Sequence, residues 1–285
     1  MDIQPIIIQV ANKNGIDPST LIYKNLQGGT SSEIGILSVS DSPRYVIKSN
    51  NQSVIKEEVN YLNFYKEVTI LPELLLVSPH FEYIVYPYIE GDSNYLRKNK
   101  AMLLRTMVLE LINHYKPSQN LLGWGWSNQL KHTWAEFLLA EVKDAKQVIN
   151  NVLRHQDFDM VVRLVESPRR NQAKQPYLLH GDCGVHNFIF SKGHLSGVID
   201  PEPLIGYPLY DLVFAFCSSP DDLTLETIKS AAHELIDWEG SDEALYEEVL
   251  IGIYLRIERC ILHHPNDLNE YLQAWEYWKR IVNDI

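Results

Sequence analysis

Three polar side chains, Asp182, Asn187 and Asp200, fall in one short stretch, YLLHGDCGVHNFIFSKGHLSGVIDPEPLIGYPLYDL from Tyr177 to Leu212, and its pattern admits few folds. Phe188-Ile189-Phe190 reads as one short strand and Leu195 to Ile199 as another, with Gly193-His194 between them. Glycine at the first central position suits a two-residue type II′ turn. That turn fixes a register: with Lys192 opposite Leu195, counting outward sets Ile189 opposite Val198 and Asn187 opposite Asp200. Residues paired in this way hold their Cβ atoms about 5 Å apart. An amide oxygen and a carboxylate at that separation are hard donors that can share one magnesium ion, with phosphate oxygens and water in its other positions. Asp182, five residues before Asn187, lies in the loop leading into the hairpin. Asp211 opens the apolar run Leu212 to Phe216, where a helix N-terminus favours a carboxylate, and it is expected to be structural.

The order of these residues resembles the catalytic loop HGDxxxxN of aminoglycoside phosphotransferases, choline kinases and related small-molecule kinases. Ile199-Asp200-Pro201-Glu202-Pro203, followed by Gly206, Pro208, Tyr210 and Asp211, is similar to the segment that follows the metal-binding Asp in antibiotic kinases of the streptomycin and hygromycin type. Protein kinases carry Arg where Gly181 stands, and that Arg couples the loop to a phosphorylated activation segment. The chain also lacks a DFG glycine, having Glu202 there, and any APE-like segment. The resemblance implies that Asp182 orients an acceptor hydroxyl and takes its proton, while Asn187 and Asp200 hold magnesium.

At 285 residues and 45% hydrophobic content the chain can bury a large core, as one two-lobed unit or two small domains. Its net charge of −12 works against the phosphate backbone of nucleic acids and against anionic membrane surfaces. Cys183, Cys217 and Cys260 form no CxxC pair and leave an odd count, so a reducing cytoplasm is expected, with neither a disulfide framework nor a zinc site. Met1-Asp2 is followed by no basic region, and Ile6-Ile7-Ile8 is too short for a signal peptide or a span. The histidines include no HExxH, which argues against a zinc hydrolase.

After an amphipathic N-terminal stretch, Leu21 to Leu26 reads as a strand entering Gly28-Gly29-Thr30-Ser31-Ser32 and leaving through Ile34 to Val39. Two glycines let the backbone pass close to a ligand, and the small residues after them leave N–H groups for phosphate oxygens. The motif GxxxxGK[ST] is absent, which excludes a P-loop ATPase. The next strand ends Val46-Ile47-Lys48 and resembles the strand of the phosphate-contacting lysine in kinases. On the following helix, about Ser53 to Lys66, the neighbours of Glu58 at helical spacing are Val54, Ile55, Tyr61, Leu62 and Tyr65. Glu58 therefore points into the buried face, where a carboxylate is costly unless a cation meets it, and Lys48 is nearest in sequence. Glu57, nearer the solvated edge, is the alternative partner. In the family the resemblance names, this pair holds lysine against the α- and β-phosphates. Residues 73 to 77 and 82 to 89 read as strands leading to Tyr86-Pro87-Tyr88-Ile89-Glu90-Gly91-Asp92, which resembles the hinge of those kinases. The Pro87 carbonyl would accept from the adenine amino group and the Ile89 N–H would donate. Helices are expected over Leu96 to Tyr115, Thr133 to Leu153 and Phe158 to Glu166, with Trp124, Trp126 and Trp134 as core or as pocket wall. Residues 168 to 176 form a basic, solvated connection. Residues 221 to 285 carry 15 Asp and Glu against five Lys and Arg. That acidity is either a solvated surface or an acceptor-side field, with Asp221, Asp222, Glu226 and Glu258 as its candidates.

The resemblance implies an α+β, protein-kinase-like fold. An N-terminal lobe over 1–91, a five-stranded antiparallel sheet with one helix and the hinge, would bind the nucleotide. A mainly helical C-terminal lobe over 92–285 would hold the catalytic residues and acceptor. The implied activity is transfer of the γ-phosphoryl group of ATP, or of GTP, to a hydroxyl of a small molecule such as an aminoglycoside-like antibiotic. Readings from other classes are a nucleotide-binding module without transfer and a protein kinase. Oligomeric state and acceptor identity leave no motif in the chain.

Overall fold

Alternation along the strands of one sheet places helices on its two faces. The computed structural model describes residues 2–26, 32–118, 123–168, 175–236 and 240–284. Strands β1 (Leu21–Leu26), β2 (Glu33–Val39), β3 (Ser42–Ser49), β4 (Leu76–Val77) and β5 (Tyr83–Pro87) form an antiparallel sheet in the order β1-β2-β3-β5-β4. Helix α1 (Gln4–Asn14) packs Ile6, Ile7, Val10 and Ala11 against Leu21, Leu37, Ile47 and Val85. Helix α2 (Gln52–Phe64) packs Ile55 and Val59 against Ile84 and Tyr86 on the other face. Successive residues of a strand point to opposite faces. Ile47 therefore joins the α1 core, and Lys48, paired in register with Ile84, faces α2. The lobe holds two helices rather than the one expected, because the amphipathic N-terminal stretch closes the second face of the sheet.

The helical lobe contains α3 (Lys100–Glu110), α4 (Trp134–Ile149), α5 (His155–Val165), α6 (Pro208–Cys217), α7 (Leu225–Ala232), α8 (Asp242–His263) and α9 (Leu268–Asn283). Its buried centre includes Phe137, Phe216, Tyr254, Tyr271, Trp275 and Trp278. Helix α3 begins later than the sequence suggests, since Arg97 and Asn99 adopt left-handed φ of 52° and 57°. Helix α4 starts at the cap Thr133, whose hydroxyl takes the Glu136 N–H at 3.1 Å while Glu136 reaches back to the His132 N–H at 3.0 Å. It stops at Ile149, where Asn150 leaves helical space, short of the expected Leu153. Helix α5 starts at His155, three residues before the expected Phe158.

Strands β6 (Gly125–Trp126), β7 (Tyr177–Leu179) and β10 (Leu204–Gly206) form a small sheet in the order β6-β10-β7. Strands β8 (Phe188–Ser191) and β9 (His194–Val198) form the hairpin, in a register other than the expected one. Ser191 pairs with His194, and the turn residues are Lys192 and Gly193, both left-handed at φ 52° and 80°. Two left-handed residues make a type I′ turn, whose twist matches the strands. Ser196 is then the extra residue of a bulge, so that Ile189 pairs with Gly197 and Phe188 with Val198. Asn187 is consequently not opposite Asp200. It lies in a 3₁₀ turn, Val185–Asn187, and its carbonyl takes the Ile199 N–H at 2.9 Å.

Two backbone ladders pin the hairpin between the lobes. Asp92 and Phe190 exchange hydrogen bonds of 3.0 and 2.7 Å, and the Val198 N–H donates to Ile70 O at 2.9 Å. Among the described residues no helix is long and apolar enough to cross a membrane.

Candidate active site

The loop between β7 and β8 carries Asp182, and its backbone is held from beneath by a buried carboxylate. Asp211, in the first turn of α6, accepts from the His180 N–H at 2.9 Å, from the Gly181 N–H at 3.1 Å and from the Tyr115 hydroxyl at 2.5 Å. Burial pushes its carboxyl up to about 6, against the pull of those donors. Asp211 is structural as expected, but its partners are the loop amides and not the N-terminus of its own helix. Gly181 adopts φ 83°, and a Cβ there would lie 1.9 Å from Glu202 O and 3.1 Å from Trp126 Cζ3. Both the left-handed backbone and the space require glycine at this position. His180 is fully buried, its Nε2 3.2 Å from Ile199 O, and burial lowers its pKa to about 4. The ring is neutral, with Nε2 donating to that carbonyl.

On this platform Asp182 takes the Asn187 amide on Oδ2 at 2.8 Å, and its main-chain oxygen takes the same amide at 3.0 Å. Burial raises the Asp182 carboxyl, yet His186 and Asn187 outweigh it and hold it below the usual carboxylate range. Because Asn187 spends its NH₂ on Asp182, its side-chain oxygen is left to accept. Asp200 stands at the end of β9 with left-handed φ of 59°, a conformation uncommon outside glycine, and its side chain is 46% exposed.

Lys48 meets Glu58 at 2.6 Å and also contacts Asp200 across the cleft. Lys48 and Glu58 are almost completely buried. Burial lowers the Lys48 ammonium, but the two carboxylates outweigh it and raise it. Burial pushes Glu58 up to about 7 even so, because one ammonium serves two acids and Glu58 occupies the drier position. Glu57 turns the other way and accepts from the Ser127 hydroxyl of the helical lobe.

The structure therefore brings Lys48, Glu58, Asp182, Asn187 and Asp200 around one cleft between the lobes. Of the glycine-rich turn, Gly28, Gly29, Thr30 and Ser31 lie outside the described residues, and Ser32 accepts from the Asn50 amide at 2.9 Å. Pro87 ends β5 opposite Tyr45, and Ile89 packs its side chain against Gly197 of the hairpin. Trp134 is buried with Phe137, Tyr207 and Tyr210, so it belongs to the core, whereas Trp126 lies half-buried against Gly181.

Three further titratable groups lie beside Asp182 or Trp126, none of them given a role by the sequence. Glu202 is raised by burial and then by Asp182, with Arg259 opposing. Glu141 is raised by burial against a hydrogen bond from Trp126 and the charge of Arg259. His186 contacts Asp182 directly at 3.2 Å. Of the C-terminal acids, Asp221 is engaged elsewhere: it accepts from Tyr95 at 2.9 Å and lies 3.7 Å from the buried Lys100. Glu226 is exposed in the first turn of α7. Glu258 pairs with Arg259 at 3.3 Å and adds to the field at Glu141.

Residues 26–244 match the phosphotransferase enzyme family. The chain belongs to that family. Its fold is the two-lobed, protein-kinase-like α+β fold of the enzymes it resembles in structure. The ADP-bound aminoglycoside phosphotransferase APH(2'')-Ib superposes with a TM-score of 0.61 at 18% identity, over 96% of this chain and 98% of that one. A choline kinase from Cryptosporidium parvum superposes with a TM-score of 0.61 at 14% identity, over 98% and 95% of the two chains. The streptomycin–ATP complex of APH(2'')-IIa gives 0.60 at 17% identity, over 95% and 97%. No curated protein matches the chain in sequence. Membership makes this protein a small-molecule phosphotransferase by family.

Proposed function

We propose that the protein transfers the γ-phosphoryl group of ATP to a hydroxyl of a small, positively charged acceptor. The observation that carries this reading is the meeting of Lys48, tethered by Glu58, with Asp200 across a cleft whose other wall holds Asp182 and Asn187. In this reading the nucleotide-binding lobe is 1–91, and the catalytic and acceptor lobe is 92–285. Lys48 holds the α- and β-phosphates. The Pro87 carbonyl and the Ile89 N–H read the base, which leaves GTP as well as ATP admissible.

Asn187 and Asp200 fit a magnesium ion: each offers a hard oxygen, and the Asn187 amide nitrogen is already committed to Asp182. Phosphate oxygens of the bound nucleotide would supply further donors to such an ion. When bound, the ion neutralises charge on the bridging phosphate oxygens. Asp182 takes the acceptor proton as the acceptor oxygen bonds to the γ-phosphorus and ADP leaves with the bridging electron pair. Glu202, within electrostatic reach of Asp182, supports a cationic acceptor, and the acidic chain disfavours nucleic acid or membrane partners. Three buried, unpaired cysteines suit a reducing cytoplasm.

Incubation with γ-labelled ATP, magnesium and a panel of aminoglycosides, amino alcohols, neutral sugars and proteins tests the reading. Label is expected on a cationic small molecule. Nucleotide binding with no transfer to any member overturns it in favour of a binding module, and transfer to protein alone favours a protein kinase.

A further inference from the structure

The imidazole of His186 lies over the loop that carries Asp182. Its Nε2 is 3.2 Å from Asp182 Oδ2, and since an ionised carboxylate only accepts, Nε2 is the donor. The Asn187 amide reaches the same oxygen at 2.8 Å. Among the described residues, both hydrogen bonds to this carboxylate fall on Oδ2, which leaves Oδ1 without a donor. One donor would let the carboxylate pivot about its bond to Cβ. Two donors arriving from different directions fix it.

Gly184 explains how the ring comes to lie there. Its backbone is extended at φ −83° and ψ 152°, a conformation open to any residue. A Cβ at this position, however, would sit 2.3 Å from His186 Cε1 and 2.5 Å from Nδ1. The absence of a Cβ at this position leaves the space in which the imidazole lies, and a Cβ there would displace the ring. Burial does not hold the ring, because the side chain is 59% exposed. What seats it is the space above Gly184 and the bond to Asp182.

We propose that His186 is a positioning residue for Asp182: seated over Gly184, it shares Oδ2 with Asn187 and so dedicates Oδ1 to the proton of the acceptor hydroxyl. This rests on the reading of Asp182 as the base. In the transfer the acceptor oxygen bonds to the γ-phosphorus, the bond from that phosphorus to the β–γ bridging oxygen breaks with its electrons on ADP, and the proton passes to Oδ1.

The test uses ATP with magnesium and water as the acceptor, so that no acceptor need be identified. His186→Ala is expected to lower turnover about tenfold, since misplacement of a reacting group by about 1 Å can cost 10² and the Asn187 bond remains. The KM for ATP should stay within roughly twofold, because the nucleotide contacts lie elsewhere. His186→Gln restores a donor and should recover most of the loss, which a merely structural role would not. Gly184→Ala pushes the ring aside and should reproduce His186→Ala, and the double variant should be no worse than either, because both remove one bond. Full turnover by His186→Ala, no rescue by Gln, or multiplying losses in the double variant each overturn the proposal. If Gly184→Ala does not fold, the Ala and Gln pair at His186 decides alone. An unaltered protein that binds ATP with magnesium and transfers phosphate neither to water nor to any member of the acceptor panel refutes the phosphotransferase reading itself and this inference with it.

Discussion

Asp211 gives the most quantitative test of how the catalytic loop is held. It is fully buried, takes the amides of His180 and Gly181 and the Tyr115 hydroxyl, and has its carboxyl pushed up from 3.8 to about 6 by burial. A carboxyl whose folded pKa lies above its unfolded value binds more protons in the folded state. Its contribution to stability is therefore greatest below the unfolded value and is lost as pH rises toward about 6. With these two values the loss between pH 4.5 and pH 7 is about 2 kcal/mol. Asp211→Asn keeps an oxygen for the two loop amides but cannot ionise. The stability difference, unaltered protein minus Asp211→Asn, should therefore fall by about 2 kcal/mol over that range, since other titrations cancel between the two proteins. Urea unfolding followed by tryptophan fluorescence at the two pH values measures it. A difference constant to within about 0.5 kcal/mol would mean that Asp211 is ionised in both states with an ordinary pKa, and burial would not be the force acting on it.

The remaining substitutions separate binding from turnover. Asp182→Asn should leave ATP binding near that of the unaltered protein while lowering turnover by roughly 10² to 10⁴, measured by calorimetry and steady-state kinetics; an unchanged rate removes Asp182 from the role of base. Asp200→Ala should abolish the magnesium dependence of nucleotide-induced thermal stabilisation, and a normal magnesium effect would show that the ion is held elsewhere. Glu58→Gln should weaken nucleotide binding by about tenfold or more because the Lys48 ammonium loses its anchor. Glu57→Gln keeps an oxygen for Ser127 and should stay within about twofold; the reverse result would place the tether on the wrong face of α2.

What the sequence made legible was set by local rules. Helical spacing alone turned Glu58 inward and Glu57 outward, and the contact of Lys48 with Glu58 follows from a strand and a helix adjacent in the chain. The hairpin itself was readable from its alternation, but its register was not. The choice between a type II′ turn at Gly193-His194 and a type I′ turn at Lys192-Gly193 depends on whether a lysine accepts φ > 0, and the bulge at Ser196 then compensates on one strand only. The one-residue slip is absorbed by a 3₁₀ turn before the hairpin and a left-handed residue after it, and Asp200 still reaches Lys48.

The groups that escaped the sequence are those whose meaning is set by chains distant in sequence. Trp126 reaches Gly181, next to Asp182, because β6 pairs with β10, which also pairs with β7 just ahead of the Asp182 loop. Asp211 looked like an ordinary helix-start carboxylate, since nothing local indicates that the first turn of α6 lies under the His180 and Gly181 amides. A buried acid in such a place has a double consequence. Its charge is costly, so the folded protein resists ionising it, yet the two amides it accepts from are those that carry Asp182. The loop is thus fixed by a group whose removal would leave two buried amides without their acceptor.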